Sequence, residues 1–450
     1  MRHELRQQDV MMSYSPQDFT NAHSTRPVYL VDGARTPFLK VRGKPGPFSP
    51  VDLAVQCGRP LLLRLDLPAE AFDQVILGCV NVVAGEMNPA RVAALRLGLG
   101  EAMTAFTVQI NCGSGMQSID TAFRYIREGS ADLILAGGAE ALSHAPMVLE
   151  DEAVNWLAGV QQAKGLPARL RQLARFRPGY LKPVVSLKRG LTDPIAELNM
   201  GQTAEVIAHL FHISRVQADE YAVSSHHRLA RAQQEGWLDQ EVAPAFSNDG
   251  EVFKRDDGVR PDSSLESLSK LKPVFEAPYG KVTAGNSSQI TDGASWVVLA
   301  SEEAVQKYQL KPKAVILDSQ WSALDPAIMG LAPVLSVSHL LTRHQLTLDD
   351  IDLWELNEAF AAQVLACLAA LNDADFCRTA LGREAPWGTL DRNRLNIDGG
   401  AVSLGHPVGA SGNRIVLHLI NALQRTGVKR GIATECIGGG QSGAMLIEAV

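Results

Sequence analysis

Apolar and polar positions follow two rhythms along this chain. Short apolar runs of strand length occur at residues 27–35, at "DQVILGCV" (73–80), at "TAFTVQIN" (104–111) and at "ADLILAGGAEAL" (131–142). Between the last two, "QSIDTAFRYIREG" (117–129) spaces its apolar residues as an amphipathic helix does. The C-terminal third repeats the order. "AVILDSQ" (314–320) reads as a strand, and "DDIDLWELNEAFAAQVLACLAAL" (349–371) as a strand edge followed by a helix. Residues 394–423 run from a strand through a glycine-rich turn into a helix, and "GIATECIGGGQSGAMLIEA" (431–449) gives strand, tight turn, strand. Strands alternating with helices predict an α/β fold whose sheet is mostly parallel and covered on both faces. The repetition predicts two duplicated α/β halves.

The middle of the chain breaks this rhythm. Residues 144–288 are richer in charge and helix formers, with an amphipathic helix at 214–236, and read as an insert between the halves. The predicted organisation is an N-terminal extension (1–26), a first half (27–143 plus 289–310), the inserted domain (144–288) and a second half (311–450). Within the insert, residues 153–192 carry eight Lys or Arg and no Asp or Glu. Leu166, Leu170 and Leu173 fall at helical spacing there. The plain expectation is a solvated helix with one face packed on the body. The sharper ones are a site for anionic phosphates, a membrane surface or a partner subunit.

Composition narrows the function. Hydrophobic residues make up 46% and charged residues 20% of 450, an ordinary globular balance. A net charge of −7 argues against a general nucleic-acid binder. No apolar run has transmembrane length, and the polar N-terminus lacks a secretory signal. Six scattered cysteines, with no CxxC and no cysteine–histidine cluster, predict neither a disulfide framework nor a metal site. A reducing compartment, most simply the cytoplasm, is expected.

Four turns concentrate the reactive residue types: "NCGSGMQS" (111–118), "NEAFA" (357–361), "GGAVSLGHPVGASG" (399–412) and "CIGGG" (436–440). Cys112 stands just before a helix, whose free N–H groups and dipole favour a thiolate. His406 stands at another helix entry, where it could activate a thiol or donate to a developing oxyanion. Cys436 precedes three glycines whose backbone N–H groups can turn inward. Taken singly, each has a structural reading: a buried cysteine, a capping histidine, a helix-capping Asn357.

Together these four turns, with "GGAEALSHAP" (137–146), "NMGQTAE" (199–205) and "TAGNSSQITDGAS" (283–295), resemble the thiolases from residue 34 to the C-terminus. The nearest resemblance is to the long-insert β-subunits of fatty-acid β-oxidation complexes. It implies the thiolase fold, two α/β halves stacked as α-β-α-β-α layers with an inserted loop domain. It implies Cys112 as the acylated nucleophile, His406 as its activator and Cys436 as proton shuttle. One oxyanion hole would use His406 and a water held by Asn357, the other the backbone N–H of Cys112 and Gly438. Ser288 would touch the pantetheine arm of CoA. The implied activity is thiolytic cleavage of 3-ketoacyl-CoA, with CoA a substrate and no metal or tightly bound cofactor. A homo-oligomer is expected, with an α-subunit or a membrane surface meeting 153–192. An acetoacetyl-CoA (biosynthetic) thiolase and a non-catalytic acyl-CoA-binding relative are the alternatives. A ketoacyl synthase of the same fold is disfavoured, because it lacks the shuttle cysteine. Ser442 departs from the family, standing where glycine is frequent.

Overall fold

The computed structural model describes residues 26–450; the predicted extension, apart from Arg26, lies outside them. Nine strands and nine helices matter for the site. The strands are β1 (Val28–Arg35), β2 (Gln74–Gly78), β3 (Thr104–Val108), β4 (Leu133–Ala141), β5 (Thr291–Ser301), β6 (Ala314–Ala323), β7 (Leu353–Leu356), β8 (Arg430–Ile437) and β9 (Gln441–Ala449). The helices are α1 (Pro50–Leu65), α2 (Ser114–Glu128), α3 (Asp151–Gln162), α4 (Leu166–Leu173), α5 (Met200–Leu210), α6 (Arg215–Gln234), α7 (Ala332–Arg343), α8 (Ala361–Leu371) and α9 (Val408–Thr426). None is long and apolar enough to cross a membrane.

The strands join into one sheet in the order β7-β8-β9-β6-β1-β5-β4-β2-β3, with the short Leu39–Lys40 strand also on β5. Outward from the β1–β6 seam, the first half runs β1-β5-β4-β2-β3 and the second β6-β9-β8-β7. The two orders match over four strands, as duplicated halves require, and β3 extends the first half by one. The sheet is mixed, which corrects the expectation of mostly parallel pairing. Only β7–β8, β2–β3 and β2–β4 are parallel. A parallel pair needs a crossover, and α2 supplies one between β3 and β4, ahead of the β2–β4 pairing. Where β8 turns straight back into β9, the pair is antiparallel. At the matching place in the first half the chain leaves β4 at Ala141 and re-enters β5 at Thr291. The whole insert therefore sits where the second half has its glycine turn. Residues 394–397, expected as a strand, make only an isolated bridge, Trp354 to Leu395.

Three apolar cores order the layers. The middle one packs Met116, Ile119, Phe123 and Ile126 of α2 and Ile415, Val416, Leu419 and Leu423 of α9 between strands of both halves. The second buries α1 on the outer face of the first half. The third buries α5, α7 and α8 on the outer face of the second. Helix, sheet, helix, sheet, helix is the resulting stack. At about 1.5–3 kcal/mol for each buried large apolar side chain, the middle layer contributes heavily to holding the halves together.

Residues 147–185 form an arm closed at its base by a two-residue ladder, Met147–Val148 against Val184–Val185. α3 and α4 fold back on each other around Trp156, Phe176 and Tyr180, with ring centroids 5.2 to 6.2 Å apart. The leucine face of α4 does not pack on the body as expected: Leu166, Leu170 and Leu173 are 71%, 56% and 44% exposed. The aromatic cluster already supplies the arm's interior, so the leucines are left outward.

A buried ionic chain crosses the molecule. Arg35 of β1 binds Asp256 (2.7 Å) and Glu241 (2.8 Å), both from the insert. Glu241 meets His418 of α9 at 3.0 Å, and His418 meets Asp398 at 3.1 Å. Burial alone would lower the His418 pKa, but Glu241, Asp398 and Glu355 raise it to about 10. Removing one partner of such a network strands charge inside the protein. We predict that Arg35→Met lowers unfolding stability by about 3–5 kcal/mol, read as a fall in the denaturation midpoint. A loss below about 1 kcal/mol would show that the network is dispensable.

Candidate functional site

The nucleophile turn is shaped by its own polar side chains. Ser114 opens α2; its hydroxyl accepts from Ile110 N–H (2.9 Å) and donates to the Asn111 carbonyl (2.7 Å). Asn111 takes a left-handed φ of 47°, which asparagine tolerates better than most residues. Its side-chain Nδ2 donates to the Gly438 carbonyl at 2.9 Å, stitching the Cys112 turn to the "CIGGG" turn. The backbone N–H groups of Gly438 and of Cys112 itself favour the ionised form of the Cys112 sulfur. Cys112 and Gly438 are thus brought together, and Cys112 also raises the pKa of Cys436.

The second turn closes the β8–β9 hairpin, with Cys436 opposite Ser442 and Ile437 opposite Gln441. Gly440 has φ 80°, and a methyl group there would overlap the Leu324 carbonyl oxygen and crowd Pro326. The unusual Ser442 is accommodated by donating to the Ala332 carbonyl (2.7 Å) and pairing with the Ser336 hydroxyl of α7.

His406 enters from the loop before α9, its backbone N–H held by the Gln289 carbonyl at 2.9 Å. Its Nδ1 lies 2.6 Å from the Ser411 hydroxyl, which donates in turn to the Pro407 carbonyl at 3.2 Å. That chain assigns the hydrogen to Nδ1 and leaves Nε2 with a free lone pair. Nε2 is buried and has no hydrogen-bond partner among the described residues. Burial, with Arg414 adding to it, lowers the imidazole to about 4, so it is neutral at physiological pH. Asn357 donates its backbone N–H to Thr434, two residues before Cys436. Its side-chain Nδ2 stands 3.5 Å from His406 Nδ1, and its Oδ1 is unpartnered. Glu358 fixes this turn by accepting from Tyr221, Ser225, Asn396 and the Val402 N–H. Ser288 donates its backbone N–H to Ala359 at 3.0 Å, which places it at the edge of the same turn.

One electrostatic expectation fails. Burial pushes the Cys112 thiol up to about 12, and Glu435 and Glu140 push in the same direction, against the backbone N–H groups. Cys436 is raised further by burial, with Cys112, Cys367 and Glu435 adding to it. Desolvation of a thiolate outweighs the helix N-terminus here. Sequence reasoning also missed Asn111, Ser411, Glu140 and Glu435. Glu140 accepts from Val80, Asn81 and Gly409, tying the start of α9 to the first half. The available signal for the two acids was a carboxylate inside an otherwise apolar strand.

The N-terminal domain model of the thiolases matches residues 28–303, and the C-terminal domain model matches 310–449. The chain belongs to the thiolase family. This thiolase is 38% identical over 425 residues to the mitochondrial trifunctional enzyme subunit beta of Bos taurus, covering 94% of this chain and 88% of the relative. It is 39% identical over 429 residues to the beta-ketoadipyl-CoA thiolase of Acinetobacter baylyi, covering 94% and 99%. Its fold superposes on human mitochondrial 3-ketoacyl-CoA thiolase with a TM-score of 0.81 at 35% identity, over 95% of this chain and all of that one. The chain is thus an acyltransferase of the thiolase type.

Asn111 is the side chain that clamps the two cysteine turns together. We predict that Asn111→Gly, which keeps the left-handed turn but removes the amide, lowers kcat about ten- to a hundred-fold while leaving the unfolding midpoint nearly unchanged, because small misplacements of reacting groups are costly. Steady-state kinetics beside thermal unfolding checks this; an unaltered kcat would mean the clamp is unnecessary.

Proposed function

We propose that this thiolase cleaves straight-chain 3-ketoacyl-CoA with free CoA, through an acyl group on Cys112. The observation that supports the reading is that Asn111 stitches the Cys112 turn to the Cys436 turn, while His406, buried and with a free ring nitrogen among the described residues, enters at the start of α9, whose first turn crosses that of α2. His406 takes the Cys112 proton as the sulfur attacks the 3-keto carbon. The C2–C3 bond breaks, leaving acyl-Cys112 and the enolate of acetyl-CoA. Cys436 protonates that enolate at C2. A second CoA thiol gives its proton to Cys436 and attacks acyl-Cys112, and His406 returns the proton to the freed sulfur. This is ping-pong covalent catalysis. The Cys112 and Gly438 N–H groups serve the tetrahedral oxyanion, while His406 and Asn357 face the enolate oxygen. Losing one such donor typically costs about 3–4 kcal/mol of barrier. No step calls for a metal or a tightly bound cofactor.

The likeness to a beta-ketoadipyl-CoA thiolase raises a second reading, a substrate ending in a carboxylate. The surroundings favour an alkyl chain. Met200, Ile437 and Trp321 lie against Gly438 and Gly113. The groups that act on the Cys112 sulfur include the buried carboxyls of Glu435 and Glu140, and no cation is among them to receive a substrate carboxylate. Thiolysis measured over 3-ketoacyl-CoA of rising chain length and over 3-ketoadipyl-CoA tests this. The alkyl series should be turned over faster, Cys112→Ala should abolish turnover, and Cys436→Ala should cut kcat about 10²–10⁴-fold. Preference for 3-ketoadipyl-CoA would reverse the substrate assignment.

The arm is proposed as the membrane-facing surface of the enzyme. Residues 153–192, which span most of the arm and the helix after it, combine eight cations, no acid and outward leucines, while the arm's three acids, Glu150, Asp151 and Glu152, sit near its base; this is the make-up of an interfacial helix drawn to anionic lipid. Sedimentation with vesicles containing phosphatidylglycerol should be strong at low salt. It should fall for neutral vesicles and for Arg169, Arg171, Arg175 and Arg177 changed to Glu. Equal binding to both vesicle types, or capture of a partner subunit in the absence of lipid, would refute it.

A further inference from the structure

Glu435 precedes Cys436 on β8 and is not used by any step above. Side chains alternate along a strand, so its carboxyl points into the middle layer, toward α2 and α9. It is fully buried, and neither oxygen has a hydrogen-bond partner among the described residues. The space exists because residue 412 is glycine: a methyl group there would overlap Glu435 Oε1 and lie 2.6 Å from the Met116 backbone nitrogen. The carboxyl therefore rests under the first turn of α2, the helix that follows Cys112.

The surrounding charges are few. Arg414 of α9 is the cation that acts on Glu435, but its Nη1 is engaged by Glu355 of β7 at 3.1 Å and its Nε is unpartnered. Glu355 is itself raised to about 7 by burial. From the other side stand Cys112 and Cys436, with Glu140 of β4 acting on Cys112 and Cys367 of α8 acting on Cys436. A carboxylate without donors is costly inside a protein, and a thiolate in the same place is costly too.

We propose that Glu435 is a positioning residue that competes with Cys112 and Cys436 for a single negative charge, so that the free enzyme keeps both sulfurs as thiols. Burial raises the Glu435 carboxyl well above its ordinary range, and its negative form raises both thiols. Ionisation of Glu435 therefore opposes ionisation of either thiol. Cys112 acts as a thiolate when its proton passes to His406 with substrate in place, not before. The inference rests on the acyl-transfer reading for its purpose, but not for its test.

The test is the pH dependence of Cys112 alkylation by iodoacetamide, followed on the Cys112 peptide by mass spectrometry in the full chain without substrate. In the wild type the curve should be broader than a single-proton titration. Glu435→Gln and Glu435→Leu should each lower the apparent pKa by about one unit, about ten-fold faster alkylation at a fixed pH below it. Superimposable profiles would overturn the proposal. So would a single-proton wild-type curve, which decides the matter even if neither variant folds. A shifted profile in an enzyme without thiolysis activity would instead refute the acyl-transfer reading and leave this one standing.

Discussion

The close crossing of two helix N-termini governs this molecule. Gly115 of α2 and Gly412 of α9 let the backbones touch: a methyl group on Gly115 would lie 2.7 Å from Asn413 N and 2.9 Å from the Gly409 carbonyl oxygen. Any larger side chain at either position would push the helices apart. Because α2 belongs to the first half and α9 to the second, that contact fixes how the halves meet. It also brings the turn before each helix, one with Cys112 and one with His406, to the same end of the middle layer. Asn111 and Glu140 then lock the arrangement across the halves.

Bringing these turns together inside the protein has an electrostatic consequence. Most of the site is buried, Cys112 itself being half-buried, and burial disfavours every isolated charge. The imidazole is held neutral and both thiols are held protonated. In the proposed reaction a neutral base and a neutral acid exchange the proton only as the sulfur attacks the substrate carbon. The donors around Cys112 are backbone N–H groups fixed by turns, so they need little reorganisation as charge develops.

Much of this was legible in the residues. Strand-length apolar runs marked eight of the nine main strands, β5 being the exception, and the repeated order of strand, small-residue turn and helix marked the duplication. The site turns stood out because glycine, cysteine, histidine and asparagine cluster there against ordinary surroundings. Strand direction was less legible, since periodicity does not say which neighbour a strand will find; the long return from β4 to β5 makes an antiparallel pair that local pattern hides. The leucine face of α4 misled because its spacing is that of a packed helix, while Trp156, Phe176 and Tyr180 fill the arm instead. The thiol pKa misled because a helix N-terminus is visible in sequence and burial is not. Glu435 and Glu140 look like strand residues until the layers are assembled around them.

The central claim is that Cys112 and Cys436 divide two tasks within one pocket, one carrying the acyl group and the other the proton. Intact-protein and peptide mass spectrometry after mixing the Cys436→Ala variant with 3-ketoacyl-CoA tests it most directly. The account predicts an acyl adduct of the shortened chain on Cys112 that persists when CoA is added, whereas the wild-type adduct is discharged. An adduct on another cysteine, or one discharged equally fast in both proteins, would contradict it.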